Sequence, residues 1–462
     1  PAPGSVSVSA EDPTPSRQPV TGRDLDREIF RLAIPALGTL AADPLVSLVD
    51  TAFVGRLGLV ALGSLGVAVA VFSVSFFLFN FLAYGTTPLV AGALAAGDRD
   101  RAGRLTIGAL VLGVGIGAAA AVVLEILAGP ILSVMGARAD LLSDASVYLR
   151  IRALGLPAVL LATVAHGVFR GYQDTKTPMW VVGSVSLFNL ILDPVLIFGL
   201  GWGLAGAAWA TTAAQWIGAL VFVELLRRRR AGFSLQVAWP GLTGLRPLVG
   251  AGRALVIRSG ALLGALTLAT AVATRQGDEV VAAHQVAMQL WLFLALVVDS
   301  LAIAAQALVG LHFDGDRLLA RAYARRLLWW GLLVGVVLAV AMAAGRGVLP
   351  ELFSNDRSVI RAVSGVYLFV VLMQPLNAVV FVWDGIAIGA SRFVFLAGST
   401  VGAAFVTAVV LAVVQWQDWG LPGVWWAVTT MMVLRFVALA WWHVAGPLGS
   451  APGPSPASPA TG

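Results

Sequence analysis

The sequence predicts an all-α polytopic membrane protein, with twelve transmembrane helices in two parallel-related six-helix lobes around a central cleft. The chain is 59% hydrophobic and 12% charged, with a mean hydropathy of +0.89, whereas soluble domains carry about 25% charged residues. Its apolar blocks reach the length of about 20 residues that a membrane-crossing helix needs. The second half of the chain also repeats short stretches of the first. These observations exclude a soluble globular domain.

Apolar blocks between charged or Gly- and Pro-rich breaks place the helices in chain order. The first lobe, 23–226, holds helices near 29–55, 62–96, 104–128, 145–170, 177–200 and 203–226. The second lobe, 249–446, holds helices near 249–274, 281–310, 320–344, 358–388, 393–415 and 420–446. A cytoplasmic linker, 227–248, joins the lobes. The flanking segments 1–22 and 447–462 are rich in Pro, Ser, Ala and Gly, which is typical of disordered tails.

The repeat carries the two-lobe prediction. "WGLAGAAWA" from Trp202 recurs as "WGLPGVWWA" from Trp419, an offset of 217 (419 − 202). Pro157 matches Pro375 at an offset of 218 (375 − 157). Because each half has six spans, the two halves share one orientation, as parallel repeats about an axis along the membrane normal do.

Arginine distribution predicts the orientation. If the N-terminus is cytoplasmic, every second connection between helices is also cytoplasmic, and most arginines fall in these connections, including the "RRRR" run from Arg227. Positively charged loops stay on the cytoplasmic side of a membrane. Both termini are therefore expected in the cytoplasm. A composition dominated by Ala, Gly, Val and Arg with little Lys suggests a bacterium, and thus its plasma (inner) membrane.

Several classes of chemistry find no support in the sequence. Cysteine is absent, which removes disulfides and thiolate sites. No phosphate-binding Gly-Lys-Ser/Thr loop is present, and the four histidines lack metal-ligand spacing. No basic stripe interleaved with aromatics indicates nucleic-acid binding. We expect a monomeric, non-enzymatic protein without a cofactor, whose partners are the lipid bilayer and a small organic substrate.

Polar residues inside apolar helices are the candidate functional groups, because charges in a bilayer usually face a cavity or a partner. Asp43 and Asp50 share one face of the first helix, and Asn189 and Asp193 share one face of the fifth. At 1.5 Å per residue, Asp50, Asp193 and Thr211 of the sixth helix lie within about 5 Å of one depth, and Asp43 lies about 10 Å deeper.

The repeat separates these acids from the shared architecture. Asp50 corresponds to Thr267 or Leu268 in the second half, and Asp193 corresponds to a valine or leucine. The first lobe therefore carries a specialised site. Two close carboxyls in an apolar shell suit a proton carrier, and a Na⁺ site at the same residues is the alternative if amide and hydroxyl oxygens complete the shell. The competing interpretation is that each acid is a packing group.

Further polar residues have a functional and a structural interpretation each. Asp299, Gln306 and Asp384 in the second lobe form either a second ion or substrate patch or structural bonds. His166 is a titrating group or a packed residue, and Pro35 a hinge or a simple kink. His284 and Gln285 are expected at a helix mouth. In the stretch "RGYQDTKTP", we expect Arg170, Asp174 and Lys176 to form a clamp in a loop on the inner side of the membrane.

The stretches "PLVSLVDTAFVGRLG", "FRGYQDTKTP" and "LFNLILDP", on twelve spans in two repeats, resemble the multidrug and toxic compound extrusion (MATE) family, in its DinF-like branch. The resemblance covers about residues 24 to 445. It implies two lobes whose cleft alternates between membrane faces while H⁺ or Na⁺ enters. It also implies a cation-coupling site, which by motif falls on Asp50, Asn189, Asp193 and Thr211. His166 stands where relatives often have Asn.

The sequence thus predicts a secondary antiporter that exports amphipathic, cationic compounds in exchange for H⁺ by alternating access. The alternatives are a Na⁺-coupled exporter, an exporter of citrate-like organic acids, and a flippase for lipid-linked intermediates. A flippase needs a basic cleft, whereas we expect only acidic charges in the first lobe's cleft. For an anion, His166 and the inner arginines are the only basic groups expected near the cleft.

Overall fold

The computed structural model describes residues 21–135, 137–233, 235, 241–349 and 357–446. Nearly all of the two predicted tails and part of the predicted linker therefore lie outside the described residues. The described chain forms fourteen α-helices: α1 Gly22–Gly55, α2 Leu59–Phe79, α3 Phe81–Ala95, α4 Arg99–Val134, α5 Ala139–Ala153, α6 Leu156–Gly171, α7 Lys176–Pro194, α8 Gly203–Arg228, α9 Gly241–Arg275, α10 Asp278–His312, α11 Arg317–Ala344, α12 Arg357–Gly389, α13 Phe393–Gln417 and α14 Gly420–Ala445.

The all-helical membrane fold is confirmed, with two spans broken where single helices were predicted. Ten helices are long and apolar enough to cross a bilayer. Helices α5 and α6 are bent by 48° and together form one further span. Helices α2 and α3 follow each other across Asn80 and fill the remaining place among the twelve. Large apolar side chains such as Val394 and Trp416 are 80% and 82% exposed, as expected for a surface that faces lipid.

The helix starts follow from local capping chemistry, and two of them repeat between the lobes. Asp98 caps α4 by accepting the backbone N–H of Arg101 at 2.8 Å, and Asp316 caps α11 in the same way at 3.1 Å. These caps satisfy N–H groups that have no partner inside the helix. The two aspartates are 218 residues apart (316 − 98), which is the offset of the sequence repeat.

The same offset relates one close helix contact in the first lobe to one in the second. A Cβ on Gly117 of α4 would lie 2.6 Å from the Cα of Pro157 on α6, and one on Gly335 of α11 would lie 2.7 Å from the Cα of Pro375 on α12. Only glycine permits such an approach. Gly117 and Gly335 are 218 residues apart (335 − 117), and so are Pro157 and Pro375 (375 − 157). The lobes therefore repeat each other in packing as well as in sequence.

The lobes meet at one side of the bundle, which we call the termini side because α1 begins and α14 ends there. Asp26 of α1 accepts two hydrogen bonds of 2.6 Å from Arg326 of α11 and one of 2.7 Å from Trp330. Between α6 and α7, the Gln173 amide donates to the carbonyl of Ala307 on α10 at 2.8 Å. The first turns of α1 also pack into the hydrophobic core of the second lobe. This structure is therefore closed on the termini side.

Candidate functional site

Asp50 on α1 and Asp193 on α7 meet inside the first lobe. Their carboxyl groups lie within hydrogen-bonding distance of each other. Asp50 Oδ1 and both carboxyl oxygens of Asp193 are buried and have no other hydrogen-bond partner among the described residues. Two ionised carboxylates are acceptors only, so this contact requires a proton on one of them. The depth argument made from the sequence correctly paired these two acids.

Asn189 and Thr211 form a second contact beside the carboxyl pair. The Asn189 amide donates to Thr211 Oγ1 at 3.5 Å, the outer limit of a hydrogen bond, and Thr211 donates to its own helix at the Ala207 carbonyl, 3.0 Å away. Asn189 Oδ1 is buried without a partner. The structure therefore brings all four predicted coupling residues together as two adjacent pairs.

The local backbone around Asp193 departs from a regular helix. Pro194 has no N–H to give to the helical ladder, and α7 passes directly into a five-residue π-helical turn, Val195–Gly199. Single π-helical turns of this kind are frequent at functional sites. Asp193 is thus fully buried at the end of α7, immediately before the wider π-helical turn.

Asp43 and Pro35 lie elsewhere on α1. Asp43 is largely exposed and is not part of the carboxyl pair. Pro35 is buried within a helix that continues unbroken through it, and Thr39 donates back to the Pro35 carbonyl at 3.1 Å. A hinge at Pro35 stays a prediction.

The predicted polar residues of the second lobe converge on one cavity of about 90 Å³. Asp299 and Gln306 of α10 and Asp384 of α12 all line it, together with Tyr84 of α3. Gln306 Oε1 and Asp384 Oδ1 are buried without partners. Because α3 belongs to the first lobe, the cavity lies where the two lobes adjoin.

Two buried arginines beside this cavity were missed in the sequence. Arg258 of α9 and Arg435 of α14 both donate to Asp384 Oδ2. Their relative exposures are 8% and 2%, so the three groups form a buried ion-paired triad. The signal was present in the sequence, since each arginine interrupts an apolar run, "ALVIRSGALLG" and "MMVLRFVALA". The expectation that His166 and the inner arginines were the only basic groups near the cleft was wrong.

The predicted loop clamp is also corrected. Arg170 is buried at 6% exposure and interacts electrostatically with Tyr84 and Asp299 at the cavity, while Lys176 is exposed. In the loop between α6 and α7, Asp174 instead accepts from Arg229 at 2.7 Å and from the Thr177 hydroxyl at 2.6 Å. Burial raises the pKa of Asp174, but the hydrogen bonds to Thr177 and Arg229 outweigh it and hold that pKa below its usual value.

Of the two histidines singled out in the sequence, His284 is fully buried and His166 is partly buried. His166 packs edge-on against Phe222, with ring centroids 5.2 Å apart, and its Nε2 has no partner. His284 lies 3.3 Å from the Thr270 hydroxyl and near Trp425, fully buried. His284 was wrongly expected at a helix mouth, because helix α10 turns this side chain inward. Its neighbour Gln285 is exposed.

The first lobe also contains a buried cation, Arg152 of α5, which is 7% exposed. Its charge acts on Asp43, Asp50 and Asp193. The expectation that all charges of this lobe's cleft are acidic was therefore wrong. Among the described residues no group of three or more His, Cys, Asp or Glu side chains is arranged to hold a metal ion.

Comparison with known proteins agrees with this architecture. The family model MatE matches residues 35–195 and 262–414. The chain is 34% identical to Protein DETOXIFICATION 44, chloroplastic, of Arabidopsis thaliana over 95% of this chain and 88% of that one. It is 31% identical to DNA damage-inducible protein F of Escherichia coli over 90% of this chain and 91% of that one.

Solved structures share the fold. A Vibrio cholerae MATE transporter in its bent form superposes with a TM-score of 0.84 at 20% identity, covering 92% of this chain and 97% of the other. The family match spans both lobes and includes the helices that carry Asp50 and Asp193. With twelve spans in two repeated lobes, the chain belongs to the MatE family, the multidrug and toxic compound extrusion transporters.

Proposed function

We propose that the protein is an antiporter that exports amphipathic organic compounds while protons enter through the Asp50–Asp193 pair. The observation that carries this proposal is the direct carboxyl–carboxyl contact without another donor. A proton holds the pair together, and its loss places two negative charges side by side in apolar surroundings. The unprotonated pair then favours either a new proton or a rearrangement that separates the carboxylates.

The contact favours H⁺ over Na⁺ as the coupling ion. A bound Na⁺ would lie between the carboxylates and hold them apart, whereas in this structure they approach to hydrogen-bonding distance. The Na⁺ alternative is tested because Asn189 Oδ1, a possible Na⁺ ligand, is buried and has no hydrogen-bond partner among the described residues. Export driven by a Na⁺ gradient at constant pH is the result that distinguishes the two ions.

We favour cationic substrates with large apolar bodies. Asp43 is exposed on α1, and ring faces add about 0.5 to 2 kcal/mol per cation–π contact. A cation and a proton would then compete for the negative charge of the first lobe. This competition is the physical basis of exchange, because one species leaves as the other binds.

An organic-acid exporter is the second candidate, and the arginines around the 90 Å³ cavity favour it. Arg170, Arg258 and Arg435 carry three positive charges against two on Asp299 and Asp384. One carboxylate would balance that set. The flippase alternative is disfavoured, because this cavity is too small for a lipid-linked pyrophosphate and Asp384 already occupies two of its arginines.

We place the protein in the inner membrane of a bacterium, as a monomer with both termini in the cytoplasm. The arginine-rich segments support this orientation, since positive loops stay on the cytoplasmic side. With that orientation the termini side is the cytoplasmic side. The closed contacts there, from Asp26 to Arg326, then correspond to a transporter closed toward the cytoplasm.

The coupling test uses purified protein in liposomes under an imposed pH or Na⁺ gradient. We expect Asp193→Asn to reduce gradient-driven export of a dye cation to the background level while leaving folding intact. Asp50→Asn should behave alike, and the double variant should be little worse than either, because the two acids act as one unit. Asp144→Asn, at an exposed position of α5, is the control. Substantial ΔpH-driven export by well-folded Asp193→Asn protein contradicts the proposal.

The substrate test is direct binding to the purified protein. We expect a dye cation such as ethidium to bind more tightly than citrate, and to be displaced as pH falls and the pair is protonated. Tighter binding of citrate, lost on substitution of Arg258, would instead select the organic-acid candidate.

A further inference from the structure

Arg152 is a buried cation that donates a hydrogen bond to a neutral side chain. Its Nη1 donates to Gln215 Oε1 on α8 at 2.7 Å, and its guanidinium lies 4.5 Å from the centroid of the Phe72 ring. None of the ion pairs found among the described residues includes Arg152. A buried charge without a paired carboxylate is costly, so its position calls for a compensating negative charge nearby.

The backbone around Arg152 is built to hold it in place. The chain bends by 48° between α5 and α6, and at this bend α8 is tied to α5 through Thr212, which donates to the Ile151 carbonyl at 3.2 Å. A Cβ on Gly155 would lie 2.5 Å from Gln215 Oε1. Glycine at this position therefore leaves the space in which Gln215 reaches the guanidinium.

The groups that face Arg152 supply the compensating charge. Arg152 acts electrostatically on Asp43 and Asp50 of α1, on Asp193 of α7, and on Tyr148 of its own helix. The Thr212 hydroxyl that bonds to Ile151 beside Arg152 directly follows Thr211, which contacts Asn189 in the coupling site. From the other packed helices, α2 presents Phe72, α8 presents Gln215, and Glu125 of α4 lies 4.0 Å from Arg150. With one shared proton, Asp50 and Asp193 carry a single negative charge that Arg152 balances. Without that proton they carry two.

We propose that Arg152 is a positioning residue that stabilises the second carboxylate charge on Asp50 and Asp193 when their shared proton leaves. In the protonated state Gln215 holds the guanidinium to one side. In the deprotonated state the guanidinium exchanges this neutral acceptor for a carboxylate, which is the stronger partner. This inference rests on the proposed proton-coupled function and assigns the residue that allows the proton to depart.

Four substitutions distinguish an electrostatic role of Arg152 from a role in packing alone. Arg152→Gln removes the charge and Arg152→Lys retains it, while both alter the contact with Phe72. Arg150→Gln is the matched control, because Arg150 lies two residues away on the same helix with its side chain 54% exposed. Gln215→Met keeps Arg152 but removes its neutral acceptor.

The readout is independent of transport and of substrate. Dicyclohexylcarbodiimide modifies protonated carboxyls in apolar surroundings, so peptide mass spectrometry of Asp50 and Asp193 after labelling across a pH series gives the pH of half-labelling. We expect Arg152→Gln to raise that pH by about one unit or more, because removing a nearby opposite charge disfavours the ionised form of a carboxyl. Arg152→Lys and Arg150→Gln should stay near the wild-type midpoint. Gln215→Met should lower it, since the freed guanidinium then moves to the carboxylates.

An unchanged midpoint in folded Arg152→Gln protein overturns the inference, and so does an unchanged midpoint in Gln215→Met should Arg152→Gln fail to fold. A different measurement tests the proposed function. If wild-type export ignores a pH gradient, proton coupling is wrong whatever the labelling midpoints show. If export follows the gradient but the midpoints do not move, only the role of Arg152 is wrong.

Discussion

Single charged side chains carry the chemistry of this molecule, and their partners decide what each one does. Asp384 accepts from two arginines and is part of a closed triad, whereas Asp50 and Asp193 have only each other. We therefore expect substitution of Asp384 to act mainly on stability, whereas we propose that the Asp50–Asp193 pair exchanges a proton. Both kinds of aspartate interrupt apolar helices in the same way in the sequence.

The residue-scale prediction concerns that triad. Asp384→Asn should lower the stability of the purified protein by about 3 to 5 kcal/mol, because it leaves Arg258 and Arg435 buried without a counter-charge. Thermal unfolding in detergent measures this, with Asp144→Asn, at an exposed position of α5, as the control. Adding Arg435→Met should recover part of the loss. An Asp384→Asn protein as stable as Asp144→Asn would show that the arginines find other compensation.

At the scale of elements, the broken and closely packed helices position the site. The chain bends by 48° between α5 and α6, just after Arg152, and the π-helical turn after Pro194 follows the end of α7. Glycines that contact a proline backbone hold α4 against α6 and α11 against α12. The repeat of these contacts at one offset explains why the two lobes have the same internal packing while only one carries the carboxyl pair.

The element-scale prediction compares two glycines of α4. Gly117→Ala should destabilise the protein by about 1 to 3 kcal/mol, because its Cβ would lie 2.6 Å from the Pro157 Cα and the helices must separate. Gly115→Ala, with nothing within 4 Å, should be neutral or slightly stabilising, since alanine favours a helix. The melting temperatures of the two variants measure this difference in stability. Equal melting temperatures would mean that α4 and α6 adjust at little cost.

At the scale of the whole molecule, hydrogen bonds join the two lobes on the termini side. Asp26, Arg326 and Trp330 join α1 to α11, and Gln173 joins the α6–α7 loop to α10. The proposed alternating-access cycle requires the lobes to separate here so that the opposite conformation can form. The Asp26–Arg326 pair is about one-fifth and one-third exposed, so it can be broken without exposing a fully buried charge.

The whole-molecule prediction uses the absence of cysteine from the chain. A double variant, Asp26→Cys with Arg326→Cys, should stop exporting when joined by a short bifunctional thiol reagent, because the lobes can no longer part on the termini side. Cleavage of the reagent should restore export in the proteoliposome assay. Each single variant treated alike is the control. Export that continues in fully cross-linked protein would show that these two helices do not move apart during transport.

The sequence by itself determined the class of fold, the two-lobe repeat and the pairing of Asp50 with Asp193. These follow from local, additive signals: apolar length, a constant offset, and helical rise, which converts chain position into depth. The same arithmetic placed Thr211 at the depth of this pair, and helical periodicity placed Asn189 on the same face as Asp193. It also predicted one continuous helix where the chain breaks at Asn80 and one where it bends near Gly155, because neither break disturbs the apolar pattern.

Only the tertiary structure decided which charges compensate which. Arg152, Arg258 and Arg435 act on acids 41 to 126 residues away in the chain (193 − 152 = 41; 384 − 258 = 126), and nothing in helical periodicity relates such positions. Electrostatic partnership in an apolar interior depends on distance across helices, so it is set when the bundle packs. For the same reason Arg170, expected in a loop, lies at the cavity, and His284, expected at a helix mouth, is buried.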